Sequence, residues 1–218
     1  SKRLKYNLID SYTSVINLSG RYFDHFLKLF DETREFSIPK NIACITDRDP
    51  QRKERIKGKK YKACLPIFLD VDNKKYEYKK TSNKLIGKYN SNRIKIFTQD
   101  EGNGCTLEYQ IIFENYKNKD LFNNINFSNK DKILEFMSYI EKIIEEDISK
   151  EESSQEILKF LNTGSYKDEI KLIYDKITLS SENAKHILAG LFLNSIDSKG
   201  EMSQELASLL EDENIEFN

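Results

Sequence analysis

Apolar positions along this chain follow two regimes. Up to about residue 109 they come in short runs between polar, Lys-rich stretches, and beyond residue 128 they recur at helical spacing. In the first regime, residues 12–18 alternate toward Val15, Ile16 and Leu18 and stop at Ser19-Gly20, which predicts a strand ending in a turn. Residues 21–30 place Phe23, Phe26, Leu27 and Phe30 on one face of an amphipathic helix. Pro39 then precedes the run Ile42, Ala43, Cys44, Ile45, continuous enough for a fully buried strand over residues 41–46. Strand, helix and strand form a β–α–β unit, which implies parallel strands joined by a right-handed crossover. Residues 51–92 are polar around Leu65, Ile67, Phe68 and Leu69, with Thr81-Ser82-Asn83-Lys84 placed to cap a short helix. Residues 93–98 predict a further strand, followed by the loop Gln99-Asp100-Glu101-Gly102-Asn103-Gly104 and then Thr106-Leu107-Glu108-Tyr109.

In the second regime, Ser128-Asn129-Lys130-Asp131 opens a long helix with an apolar face of Ile133, Leu134, Met137, Ile140, Ile143 and Ile144. Further helices are predicted over residues 153–161, ending at Gly164, and over 166–177. Another starts at Ser180-Ser181-Glu182 and buries Ala184, Ile187, Leu188, Leu191 and Phe192, and a last one covers residues 201–210 after Asp197-Ser198-Lys199-Gly200. The chain is therefore expected to be α/β, with a core over residues 1–127 and a helical extension over 128–218.

Composition narrows the class. Of 218 residues, 38% are apolar and 33% charged, lean but sufficient for a core. Neither an apolar run of about 18 residues nor the apolar stretch of a signal peptide is readable, so no membrane is expected as a partner. Cys44, Cys64 and Cys105 are odd in number and widely spaced, which suits reduced thiols and disfavours disulfides and zinc pairs. The expectation is a soluble cytoplasmic protein. The net charge of −1 conceals an asymmetry: residues 1–100 carry 23 Lys and Arg against 12 Asp and Glu, and residues 101–218 carry 12 against 24. Arg52, Lys53, Arg55, Lys57, Lys59 and Lys60 form the densest cluster, either a solvated loop or a surface for a polyanion such as DNA.

That cluster directly follows Asp47 and Asp49, with Pro50 ending the strand before them. Carboxylates at the C-terminal end of a buried strand stand where ligands bind in open α/β sheets. Two Asp at i and i+2 of an extended segment point the same way and can share a hard cation such as Mg²⁺ or Mn²⁺. Strand-end Asp residues also shape turns and cap helices. Glu108 offers a third carboxylate on the same sheet edge, and Lys199 an ammonium suited to charge developing on a phosphate. Other motifs fail. Gln51 stands where a haloacid-dehalogenase motif needs Thr or Val, Lys74 spoils an EF-hand loop from Asp70, and no P-loop occurs, so no ATP site is expected. His25 reads as partly exposed and His186 as packing, which leaves carboxylate–metal chemistry.

The ordered series Val15-Ile16-Asn17-Leu18-Ser19-Gly20, Ile45-Thr46-Asp47-Arg48-Asp49-Pro50, Thr106-Leu107-Glu108-Tyr109 and Ser198-Lys199-Gly200-Glu201 resembles the Toprim domain of OLD-family (overcoming lysogenization defect) nucleases. The resemblance implies a Rossmann-like central parallel sheet flanked by helices, with the helical C-terminal extension completing the region. It implies Mg²⁺ or Mn²⁺ at Asp47 and Asp49, Glu108 as an additional metal-site carboxylate, and Lys199 assisting the transition state. The implied activity is metal-dependent endonucleolytic cleavage of DNA, with a role in defence against phage. An N-terminal ABC-type ATPase domain is the implied partner, and a homodimer the implied assembly. The alternatives are primase or topoisomerase chemistry on the same fold, or a non-catalytic nucleic-acid-binding or dimerisation module. One element departs from the pattern: Toprim domains carry a Glu at the end of their first strand, and residues 1–11 hold only Asp10 as an acid. The expectation is a C-terminal fragment without that strand, lacking a general base or metal ligand, with a natural standalone degenerate Toprim as the alternative.

Overall fold

The structure, a computed structural model, describes residues 7–18, 23–68, 72–79, 83–89, 91–99, 102–145, 164, 166–176 and 181–212. It is mixed α/β, with a small parallel sheet and many helices. The chain divides into two compact units, one spanning Leu8–Leu107 and the other containing the residues from Glu108 onward.

The first unit is built around a parallel pair, β1 (Ile42–Ile45) and β5 (Ile94–Phe97), in the register Ile42↔Ile94 to Ile45↔Phe97. Both runs are rich in β-branched residues, which suit a pleated surface. One face packs: Ile42, Cys44 and Ile96 lie against Phe23, Leu27, Tyr89 and Ile94, with Phe30 and Leu85 alongside. Leu27 belongs to the one-turn helix α1 (Asp24–Leu27), and Leu85 and Tyr89 to α2 (Asn83–Tyr89). The expectation of a fully buried β1 is corrected, because Ile45 is 84% exposed and Ala43 is exposed on the other face. A strand is buried on both faces only when elements cover both, and among the described residues only one face is covered.

The strand predicted over residues 12–18 does not form. Residues 8–13 turn back on themselves, with the Thr13 N–H donating to the Leu8 carbonyl and Tyr12 at φ +53°. Val15 and Ile16 stay exposed. Alternation supplies a side-chain pattern, but a strand also needs a backbone partner, and among the described residues β1 pairs with β5 alone. Ser19 and Gly20, the predicted turn, lie outside the described residues. The helix predicted over 21–30 is shorter, since hydrogen bonding after α1 continues as i→i+3 turns from Leu29 to Phe26 and from Phe30 to Leu27; Arg21 and Tyr22 are outside the described residues. So are Leu69 and the capping pair Thr81 and Ser82 ahead of α2.

Between β1 and β5 the chain inserts an antiparallel sheet, of order β3–β2–β4, within the polar stretch of residues 51–92. Its strands are β2 (Gln51–Glu54), β3 (Lys62–Ala63) and β4 (Tyr76–Lys79). Gln-Arg-Lys-Glu and Tyr-Glu-Tyr-Lys have almost no aliphatic residues to reveal period-2 patterning. The sheet is held by a cross-strand ion pair and cation–ring contacts: Lys53 Nζ lies 3.0 Å from Glu77 and over the Tyr61 ring, and Arg52 lies over Tyr76.

The second unit is helical: α3 (Leu107–Glu114, shared at its first residue with the first unit), α4 (Lys119–Asn124), α5 (Lys130–Glu145), α6 (Lys167–Lys176), α7 (Ser181–Ser195) and α8 (Lys199–Glu211). Helices α5 and α6 both pack on α7. The α7 face is the one the spacing predicted, with Ala184, Ile187, Leu188, Leu191 and Phe192 buried. On α5 Ile133, Met137 and Ile140 are buried as expected, Leu134 is only half-buried, and Phe136, not foreseen, is fully buried. Phe122, Phe127 and Phe192 meet edge to face at centroid distances of 5.0 to 6.2 Å. Ser198 caps α8 by accepting from the Glu201 N–H. Ser128 instead donates to Asp197 at 2.6 Å, tying the start of α5 to the loop before α8. The helix predicted over residues 153–161 lies outside the described residues. Among those described, no helix is long and apolar enough to cross a membrane.

Candidate functional site

β1 ends by passing the Thr46 N–H to the carbonyl of Phe97, the last residue of β5. From there the two chains stay in contact as loops. The Arg48 and Asp49 N–H groups both donate to the Cys105 carbonyl, at 3.0 and 3.1 Å. Gln99 closes the gap between them. Its Nε2 donates to Asp47 Oδ1 at 2.7 Å, its Oε1 accepts from the Arg48 N–H at 3.1 Å, and its carbonyl accepts from Arg48 Nε at 2.6 Å. Asp47 Oδ1 accepts a second bond, 3.0 Å from the N–H of Leu107, the first residue of α3. A carboxylate is favoured there because the first N–H groups of a helix lack intrahelical partners and carry partial positive charge.

Asp49 sits at φ +42°, in the left-handed region that costs a non-Gly residue free energy. This corrects the argument from strand pleat: the alternation that points i and i+2 the same way requires extended backbone, and the bend at Asp49 interrupts it. The placement of both acids at the end of a parallel strand is as expected. Both are half-buried.

Glu108 is not on a sheet edge. It occupies the first turn of α3, where an acid suits the helix dipole, and it is buried. Within the second unit Lys199 Nζ lies 3.2 Å from Glu108 Oε1. Lys199 is the first residue of α8, held there by the Ser198 cap, and its side chain is 61% exposed. Sequence reasoning named Glu108 and Lys199 separately, and the fold brings them together.

The donor chemistry near the Asp pair is hard. Burial, with the Asp49, Cys64 and Asp47 charges added, pushes the buried Cys105 thiol far above its ordinary range, so it stands neutral and offers no thiolate. Oxygen ligands without a thiolate or imidazole suit Mg²⁺ or Mn²⁺ rather than zinc. Among the described residues, no three His, Cys, Asp or Glu side chains gather as a metal-binding group.

The six residues of the basic cluster separate into two sets. Arg52 stacks over Tyr76 and Phe68 at 4.7 and 5.1 Å, Lys53 is paired with Glu77, and Arg55 Nε donates to the carbonyls of Asn73 and Tyr76. These three hold the antiparallel sheet. Lys57, Lys59 and Lys60 stand exposed on the β2–β3 turn, where Gly58 adopts φ +87° and Lys59 also lies 3.5 Å from Glu54. His186, expected to pack, is buried against Tyr109 and Phe113.

Sequence reasoning missed Gln99 and Arg48. Gln99 was visible only as the first polar residue after a predicted strand, a weak signal without its partner across the loops. Comparison of the chain with family models, with curated proteins and with solved structures gives no match in any of the three.

Proposed function

We propose that this chain is a Toprim-type region of an OLD-like nuclease, which cleaves DNA phosphodiesters with Mg²⁺ or Mn²⁺. The observation that carries the reading is the position of Asp47 and Asp49. They follow a parallel strand in a backbone-strained loop whose N–H groups are fixed by the Cys105 carbonyl. Strained, over-determined backbone of this kind clusters at functional sites.

In this reading Asp47 and Asp49 hold the cation, and the family resemblance adds Glu108 to the same chemistry. Bound Mg²⁺ or Mn²⁺ supplies Lewis-acid stabilisation of phosphate charge and a more acidic water. Lys199, charged and exposed, neutralises negative charge on the phosphate or the leaving oxygen. The turn lysines Lys57, Lys59 and Lys60 contact phosphates and position the duplex without reading its sequence.

One observation favours the non-catalytic module instead. Asp47 Oδ1 accepts from the Leu107 N–H at the start of α3, which is what a helix-capping carboxylate does. Crystals of the chain soaked in Mn²⁺ separate the two readings by anomalous scattering. A peak bonded to Asp47 or Asp49, absent in Asp49→Asn, together with Mn²⁺-dependent plasmid nicking lost in the same variant, supports the nuclease. No peak at millimolar Mn²⁺, with DNA still bound, selects the binding module.

A further inference from the structure

Both polar atoms of the Gln99 side chain bond to the loop that carries the Asp pair. Nε2 donates to Asp47 Oδ1 at 2.7 Å, and Oε1 accepts from the Arg48 N–H at 3.1 Å. These two bonds also fix which way the amide faces, since a carboxylate oxygen can only accept and a backbone N–H can only donate. The Gln99 main chain adds a third tie, accepting from Arg48 Nε at 2.6 Å, and Arg48 is 8% exposed. The loop is thus clamped on both sides of one peptide unit, beside the left-handed Asp49.

We infer that Gln99 is a positioning residue that presents the Asp47 carboxylate to a divalent cation. The inference rests on the metal reading above and adds a residue to it. An oxygen accepts through two lone pairs, and on Asp47 Oδ1 these are met by Gln99 and the Leu107 N–H. Oδ2 is the oxygen left to a cation, and the carboxylate cannot rotate without breaking two bonds. Partners of this kind set ligand orientation, and their removal weakens metal binding about 10- to 100-fold. Glu at position 99 would keep an acceptor for Arg48 but turn a repelling charge on Asp47. Asn would be one methylene too short to make both bonds.

The test is Mn²⁺ affinity, read by electron paramagnetic resonance of the free ion against the full chain. Wild type is compared with Asp47→Asn, with Gln99→Met, which keeps the length of the side chain and removes its polar groups, and with Ile94→Val. Ile94 is a fully buried core residue outside the network, so that variant reports what instability alone does. The expected result is binding by wild type and Ile94→Val alike, none by Asp47→Asn, and affinity lower by about 10- to 100-fold in Gln99→Met. If Gln99→Met does not fold, Gln99→Asn gives the same reading more mildly. Undiminished affinity in the Gln99 variants with loss in Asp47→Asn overturns the role of Gln99 and leaves the metal site standing. Equal weakening in Ile94→Val overturns it as a stability effect. No Mn²⁺ binding by wild type overturns both readings.

Discussion

His186 offers a prediction whose size follows from its surroundings in the helical unit. Its side chain is 2% exposed on α7, its Nδ1 lies 2.6 Å from the Tyr109 hydroxyl, and its ring centroid is 4.9 Å from that of Phe113. Burial, and secondarily the Lys185 charge, lowers its pKa from the ordinary 6.5 to about 4. Glu182 Oε1 stands 4.0 Å from Nε2, but that carboxylate is 51% exposed and water screens its pull. A hydroxyl both donates and accepts, so the Tyr109 bond can persist in either protonation state; what disfavours the imidazolium is burial of its charge. In the unfolded chain the ring titrates near 6.5. Above that pH neither state holds the proton. As the pH falls below 6.5 the unfolded chain binds a proton that the folded one refuses, so stability drops until about pH 4. At about 1.4 kcal/mol per pKa unit, the loss is about 2 kcal/mol between pH 7.5 and 5 and about 3 kcal/mol by pH 4. Urea melts followed by helical circular dichroism at pH 7.5 and 5 measure it, with His186→Gln as a reference that cannot titrate. Wild type should lose about 2 kcal/mol more than the variant over that range. Equal losses in the two proteins would refute the reasoning.

Two further outcomes follow from the basic turn and the α8 terminus. Replacing Lys57, Lys59 and Lys60 together with Ala should weaken DNA binding alike on unrelated sequences and flatten the slope of log affinity against log salt by roughly 2 to 3; fluorescence anisotropy across a salt series reads both. Lys199→Met should lower Mn²⁺-dependent cleavage by about 100-fold or more. Because the Lys199 side chain is 61% exposed, the lost ion pair should cost no more than about 1 kcal/mol in the same urea melts.

The short apolar run Ile42–Ile45, closed by Asp47, Asp49 and Pro50, announces a strand with acids at its end, and the structure has that strand. Helix α7 buries the face its spacing predicts, and α5 buries Ile133, Met137 and Ile140 of its predicted face. Both are local matters, because periodicity, caps and breakers act within a turn or a strand length. What the run at 42–45 could not disclose is its partner, β5, which begins 52 residues after β1 does. Nor could Val15 and Ile16, patterned like a strand, disclose that they have no neighbour to pair with among the described residues. The antiparallel sheet of residues 51–79 escaped notice because its stability lies in contacts such as Arg52 over Tyr76, which have no signature in the order of residues.

The candidate site divides the same way. Asp47, Asp49, Glu108 and Lys199 were legible as residue types with a chemistry. The 3.2 Å contact between Glu108 and Lys199, the left-handed turn at Asp49 and the hold of Gln99 on Asp47 were decided by tertiary structure. The two contacts require closing long loops, and the free energy that repays that entropy comes from burial and hydrogen bonds spread over each unit. A sequence window carries the propensity of its own residues; the partner across the loop is chosen by everything else that folds.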